Sequence, residues 1–237
     1  PGAAGYSSLV CWVYRNAPRL AFFWMTSRAS HAERFGFCGE GGVHCLDASR
    51  GPWQETREAA EAAYDRSPAC EFTSFIGYEW TGNAGGANNF HRNVIFANDV
   101  VPELPITFVD SPRLPDFFAR LGRECPDAGR GCDVVVIPHN SNLSGGRMFQ
   151  TLREDGTAID VGEARTQARF ERLVEVMQHK GDSECMPGLA SEDELCGFEK
   201  LAMNSFSGRF FPWKIEAPVA QQFVRNVLKE GLRQEQR

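Results

Sequence analysis

Asp133-Val-Val-Val-Ile-Pro138 runs without a break into His139-Asn-Ser-Asn142. A continuous apolar run of this length reads as a strand buried on both faces, as strands of parallel sheets are. Its carboxyl end turns at once into polar residues, and in parallel α/β architectures ligand sites gather at that end of the strands. Working outward, Phe72-Thr-Ser-Phe-Ile-Gly-Tyr-Glu-Trp80 is a β-branched and aromatic run that predicts a strand. Gly82 to Asn89 is a Gly/Asn-rich loop, and Asn93-Val-Ile-Phe96 predicts a returning strand, so the pair reads as a hairpin with a long tip. Between that hairpin and residue 133, Leu114, Phe117, Phe118 and Leu121 fall at helical spacing behind Asp110-Ser-Pro112.

Downstream, a weaker helix is expected over Glu163–Arg172 and a strand over Leu173-Val-Glu-Val-Met177. A last helix places Ala220, Phe223, Val224, Val227 and Leu228 on one face. Upstream, Trp53–Tyr64 predicts an Ala/Glu-rich helix, and residues 1–50 read as an irregular segment with one short helix. Strands alternating with helices predict an α/β protein with parallel strands. The whole chain, 1–237, reads as a single domain, irregular over 1–50 and built of β/α units over 51–237. It contains no internal repeat and no interdomain linker. The chain opens at Pro1 and closes on the polar segment Lys229–Arg237, which reads as a fragment of a longer polypeptide.

Composition narrows the function. The chain has 237 residues, 42% hydrophobic and 24% charged, with 25 Lys+Arg against 31 Asp+Glu. A formal charge of −6 without a basic run argues against a nucleic-acid partner. No apolar stretch approaches the roughly 20 residues of a membrane span; Leu20-Ala-Phe-Phe-Trp-Met25 is far too short and lies between Arg19 and Arg28. Six of the eight cysteines form close pairs in the sequence: 38/45, 125/132 and 185/196. Cys125-Pro-Asp-Ala-Gly-Arg-Gly-Cys132 is a turn-rich loop able to bring its two sulfurs together. The connectivity stays open, since eight cysteines allow 105 pairings, but close pairing without a C-x-x-C motif points to an oxidising compartment, periplasmic or secreted.

Three strand ends carry polar residues that are costly to place without a purpose: Glu79, the His139-Asn-Ser-Asn142 run, and Gln178-His-Lys-Gly-Asp-Ser-Glu184. His91 and Arg92 stand just before the returning hairpin strand. Imidazole together with carboxylate suits Zn²⁺, Mn²⁺ or Fe²⁺, so Glu79, His91 and His139 are the candidate metal ligands. Lys180 and Arg92 are the candidate catalytic cations, and Asn140, Asn142 and Lys180 the candidate contacts to a small anionic substrate. Each has a plain alternative: Glu79 serving the loop backbone, His139 an ordinary loop histidine, His91 an exposed hairpin residue. His179 is the weaker candidate, because alternation from Glu175 turns it away. His31 and His44 read as surface groups, and Glu171, Glu175 and Glu192-Asp-Glu194 as solvated or pair-forming charges. Asn142-Leu-Ser144 fits the N-glycosylation pattern. Gly145-Gly146 reads as a loop that lets backbone approach a ligand.

The strings Phe75-Ile-Gly-Tyr-Glu-Trp-Thr81, Asn89-Phe-His-Arg-Asn-Val-Ile-Phe96, Ile137-Pro-His-Asn-Ser-Asn-Leu-Ser-Gly-Gly146 and Gln178–Glu184 resemble a large bacterial family of uncharacterised proteins. That family is in turn similar to the PHP (polymerase and histidinol phosphatase) metallohydrolases. The resemblance implies a distorted (β/α)7 TIM-like barrel, here incomplete at both ends, with up to three metal ions in the intact parent protein. It matches Glu79 to the family's strand-end glutamate, His139 to the Ile-Pro-His histidine and His91 to an intervening one. The family's early H-x-H, its Asp-His pair and its late D-x-H are not found in this sequence. The resemblance would put the flanking motifs just outside residues 1–237, which makes the remaining parts of the same precursor expected partners. The function implied is metal-dependent hydrolysis, of phosphoesters first, with a metal-bound hydroxide as nucleophile. The alternatives are hydrolysis of another ester or of an amide, or a non-catalytic periplasmic binding or interaction protein.

Overall fold

A computed structural model describes residues 6–21, 31–84, 88–152, 156–189, 191–201, 206–207 and 214–235. Residues 22–25 of the early apolar stretch and residues 85–87 of the hairpin tip lie outside this set. The protein is mixed α/β. In chain order the elements are α1 (Leu9–Asn16), α2 (Val43–Ala63), β1 (Gly77–Trp80), β2 (Arg92–Phe96), α3 (Leu114–Glu124), β3 (Val134–Pro138) and α4 (Val161–Phe170). The short strands β4 (Met177–Gln178), β5 (Gly181–Asp182), β6 (Phe206–Ser207) and β7 (Lys214–Ile215) follow, and then α5 (Val224–Glu235). They form one sheet in the order β1-β2-β3 and two small ribbons, β4-β5 and β6-β7. Among the described residues no sheet closes into a barrel.

β1 and β2 pair antiparallel, as the expected hairpin requires, whereas β3, expected to lie in a parallel sheet, runs antiparallel to β2 as well. Phe96 N–H donates to the Ile76 carbonyl (2.9 Å) and Phe90 N–H to that of Gly82 (3.1 Å), so partner numbers rise as residue numbers fall. The same holds between β2 and β3, where Ala97 N–H reaches Asp133 O (3.0 Å) and His139 N–H reaches His91 O (3.1 Å). Both ribbons are antiparallel too. Helix–strand alternation fixes element type, but a connection that carries a helix can return in either direction. The strand expected over Leu173–Met177 shrinks to its last residue. Its upstream part makes two ladder-type bonds, Glu175 N–H to Pro138 O (3.1 Å) and Ser183 N–H to Val176 O (2.7 Å), and leaves Leu173 exposed.

The chain divides into two compact units, residues 1–78 with 94–135 and residues 79–93 with 136–237. In the first, α2 starts at Val43 rather than Trp53 and carries Pro52 within it. The turns around Pro52 hold despite the missing donor. Trp53 is buried; its indole N–H donates to Pro102 O (3.1 Å), and its ring meets Tyr78 edge-on at 5.9 Å. α3 forms as its spacing predicts, burying Phe117, Phe118 and Leu121. Disulfides Cys38–Cys45 and Cys125–Cys132 close the turns before α2 and β3.

In the second unit, α4 opens with a reciprocal capping box between Asp160 and Glu163. Cys185–Cys196 is the third bridge, and Cys11 and Cys70 are free. β4 and β5 are joined by the two-residue turn His179-Lys180, and Gly181 follows at φ +99°. A Cβ there would stand 2.6 Å from the Glu199 carbonyl, so glycine alone fits. Among the described residues no helix is long and apolar enough to cross a membrane.

Candidate functional site

β2 alternates strictly, with Arg92, Val94 and Phe96 buried and Asn93 and Ile95 half-buried on the opposite face. His91, just before the strand, continues the Asn93 face. The antiparallel register sets Glu79 of β1 opposite Asn93, and His91 opposite His139, the residue that follows β3. Glu79, His91, Asn93 and His139 therefore share one face of the sheet, and all four belong to the second unit. Three sequence segments converge there for a reason the alternation rule supplies.

The contacts are close. His91 Nδ1 lies 3.1 Å from Glu79 Oε1, and His139 Nε2 lies 3.2 Å from Glu79 Oε2. Thr81 Oγ1 donates to Glu79 Oε1 at 2.8 Å. The two imidazoles stand edge-on, their centroids 5.9 Å apart. His139 and then His91 hold the Glu79 carboxyl far below the usual carboxylate range; partial burial opposes them without prevailing. The opposite edge of the His139 ring is occupied as well, Nδ1 lying 3.1 Å from Glu175 Oε2 and 2.7 Å from the Gln178 amide nitrogen. Lys180 is half-buried nearby. Burial pushes its ammonium pKa down, against the pull of Glu175 and Glu79.

The other expected site residues have different work. Arg92 is fully buried and so cannot meet a substrate: its Nε lies 2.9 Å from Glu171 Oε1, and its guanidinium sits 3.8 Å above the Phe90 ring. It faces away from His91 because consecutive strand residues point to opposite faces. Asn140 and Asn142 are buried too. Asn140 Nδ2 donates to Gly181 O (2.7 Å) and Asn142 Nδ2 to Lys180 O (3.0 Å), so both fasten the β4–β5 turn rather than reach for a ligand. Asn142 is 2% exposed, which closes the glycosylation motif to modification in the folded chain. Gly145 and Gly146 have positive φ, and a Cβ on Gly145 would meet the Asn88 side chain at 2.5 Å, so the close approach they allow is internal. His31, His44 and His179 are exposed. Sequence reasoning missed Asn93, Glu175 and Gln178. The signal for Asn93 was available, since it lies two residues from His91 in a strand.

One carboxylate and two imidazoles are the donor types a borderline divalent ion takes. Donor atoms about 3.0–3.4 Å apart are also what ligands at about 2.1 Å from one ion show, and the two Glu79–histidine separations fall in that range. The same distances are those of hydrogen bonds, and the donors are at present engaged with one another. Among the described residues no group of three or more His, Cys, Asp or Glu side chains is arranged to hold an ion as it stands. The set fits a metal in donor type and in its two Glu79–histidine separations, and to share one ion the three side chains would have to re-aim, the ion taking the place of the hydrogens between them.

No match was found among curated proteins or among solved structures. A family model described as "Protein of unknown function (DUF3604)" matches residues 4–237, nearly the entire chain, and the chain belongs to that family.

Proposed function

We propose that the chain is a metal-dependent hydrolase of small anionic esters, phosphoesters first, with Glu79, His91 and His139 holding the ion. The observation that carries this reading is the convergence of one carboxylate and two imidazoles from three separate segments onto one sheet face. Zn²⁺, Mn²⁺ or Fe²⁺ bound there would supply Lewis acidity and an activated water. The chain's own residues do the rest. Lys180 adds positive charge beside the two carboxylates, where an anionic substrate needs a counter-charge. Asn140 and Asn142 hold the turn that presents it. Glu79, 38% exposed, leaves the group open to solvent and hence to substrate.

The same reading assigns the chain to the PHP metallohydrolases and their distorted (β/α)7 barrel, with flanking segments of the precursor supplying further ligands. It is supported by the motif strings around Glu79, His91 and His139 and by the mixed α/β content. The three disulfides favour a periplasmic or secreted location. A non-catalytic binding role is the second reading. It is favoured by one observation: both oxygens of Glu79 and both nitrogens of His139 already have partners within the chain.

The test is hydrolysis of p-nitrophenyl phosphate and p-nitrophenyl acetate by chelator-treated protein, before and after addition of Zn²⁺, Mn²⁺ or Fe²⁺. Turnover of the phosphate ester that returns with metal and is lost in Glu79→Ala supports the proposal. Recovery on the acetate alone would move the substrate class to carboxylic esters. Turnover indifferent to chelation and to Glu79→Ala, or absent throughout, would remove the hydrolase reading.

A further inference from the structure

We propose that Lys200, acting through Asp182, is a positioning residue for the Lys180 ammonium. This rests on the reading of Lys180 as the counter-charge for an anionic substrate, and it names the pair that keeps Lys180 in place.

Lys180 stands in the turn between β4 and β5, strands of two residues each. An isolated two-stranded hairpin is marginal in water, so what fixes one this short comes from outside it. Nor does the side chain anchor itself. Half-buried and within the fields of Glu175 and Glu79, the Lys180 ammonium forms no ion pair among the described residues. Its place is therefore set through the backbone of the turn. One side of that backbone is held by two neutral amides, Asn140 donating to Gly181 O and Asn142 to Lys180 O.

The other side is held by residues 199–201. Asp182 N–H donates to Glu199 O (2.9 Å), and a Cβ on Gly181 would meet that carbonyl at 2.6 Å and the Leu201 nitrogen at 3.1 Å. The segment thus lies directly against the turn. Lys200 Nζ donates to Asp182 Oδ2, while Asp182 Oδ1 accepts the Glu184 N–H. The Lys200 and Asp182 side chains are 11% and 12% exposed, so this second ammonium is committed to Asp182 and does not meet a substrate. Asp182 is thereby tied down by backbone and side chain together, two residues from Lys180. An enclosed ion pair adds little net stability when desolvation offsets its attraction, and its best-attested use is to fix a register. That difference separates positioning from plain stabilisation.

The test is KM and kcat for p-nitrophenyl phosphate and p-nitrophenyl acetate in the full chain supplied with Zn²⁺, with amide hydrogen exchange over residues 177–182. The proteins are the parent, Lys200→Arg, Lys180→Ala, the double variant Asp182→Asn/Lys200→Met, and that double variant combined with Lys180→Ala. The double variant leaves no enclosed charge without a partner and should keep the fold. It should raise KM for the phosphate ester several-fold, no more than Lys180→Ala does, with kcat and KM for the neutral acetate near the parent values. Exchange across the turn should quicken, and Lys200→Arg should stay close to the parent. With Lys180 already replaced, changing the pair should add nothing further, as expected of residues that act through one another. An unchanged KM in the double variant, an equal rise for both esters, or an effect that adds to Lys180→Ala would overturn the proposal. Should the double variant not fold, Lys200→Gln, which keeps a donor against Asp182, carries the same comparison. A parent that turns over neither ester would remove the hydrolase reading, and unchanged exchange over 177–182 would then overturn the positioning role separately.

Discussion

Replacing Glu171 by glutamine removes one charge from an enclosed pair and changes little else. Arg92 is 0% exposed and the Glu171 side chain 7%, with Nε and Oε1 2.9 Å apart. The other partners of the guanidinium are neutral: Phe90 O at 2.7 Å, Met148 O at 3.3 Å and the Phe90 ring. Burial works against the Arg92 charge and Glu171 sustains it. Breaking a buried pair on one side costs about 3–5 kcal/mol, because the remaining charge is left without compensation. Coulomb's law gives the same order, about 4 kcal/mol for charges near 4 Å at an effective dielectric constant of ~20. For a chain of this size that is roughly 6–20 °C in Tm. Urea and thermal unfolding at pH 7 would read it directly. The double variant Arg92→Met/Glu171→Leu should recover most of the loss, since no ion then remains to be desolvated. A Glu171→Gln protein within about 1 kcal/mol of the parent, the size of an exposed pair, would refute the enclosed pair. So would a double variant less stable than the single one.

Three further outcomes follow from the same geometry. Denatured protein without reductant should show two reactive thiols, Cys11 and Cys70, and eight after reduction, while Cys125→Ala/Cys132→Ala should cost about 2.5 kcal/mol on the chain-entropy model; eight thiols without reductant would contradict the bridges. Glu79 has a depressed folded pKa, so its contribution is fully present above the ordinary glutamate value of about 4.3 and fades as pH falls below it toward the depressed value. Glu79→Gln should therefore flatten the stability profile below about pH 4.3, by a small amount because solvent screens a 38% exposed group; an unchanged profile would deny the histidine contacts. Lys180→Ala should raise KM for anionic substrates several-fold with a smaller change in kcat, and an unchanged KM would remove its substrate role.

Much of the fold was legible in the sequence because it rests on local pattern. The 114–121 spacing produced α3, the Val-rich run produced β3, and the 72–96 region produced a hairpin. The direction of β3 was not legible, because it depends on where the chain returns and not on the residues in the strand. The length of α2 was hidden by Gly51-Pro52, a start signal overridden by its surroundings. The three convergent side chains, Glu79, His91 and His139, were singled out by residue type at strand ends, which alternation then carries onto one face. The same alternation separates Arg92 from His91, and applied along the strand it would have excluded Arg92 and admitted Asn93. Glu175 was hidden for another reason: it approaches His139 from a segment that is hardly a strand, through contacts that are tertiary.

Glu79, His91 and His139 are proposed to form one ion-holding group. The most direct measurement is Zn²⁺ and Mn²⁺ binding by calorimetry, with elemental analysis, on the full chain and on Glu79→Ala, His91→Ala and His139→Ala. Stoichiometric binding to the parent is expected, sharply weakened by each of the three substitutions alike and unaffected by His179→Ala. An ion bound equally well by all four variants, or by none of the proteins including the parent, would contradict it.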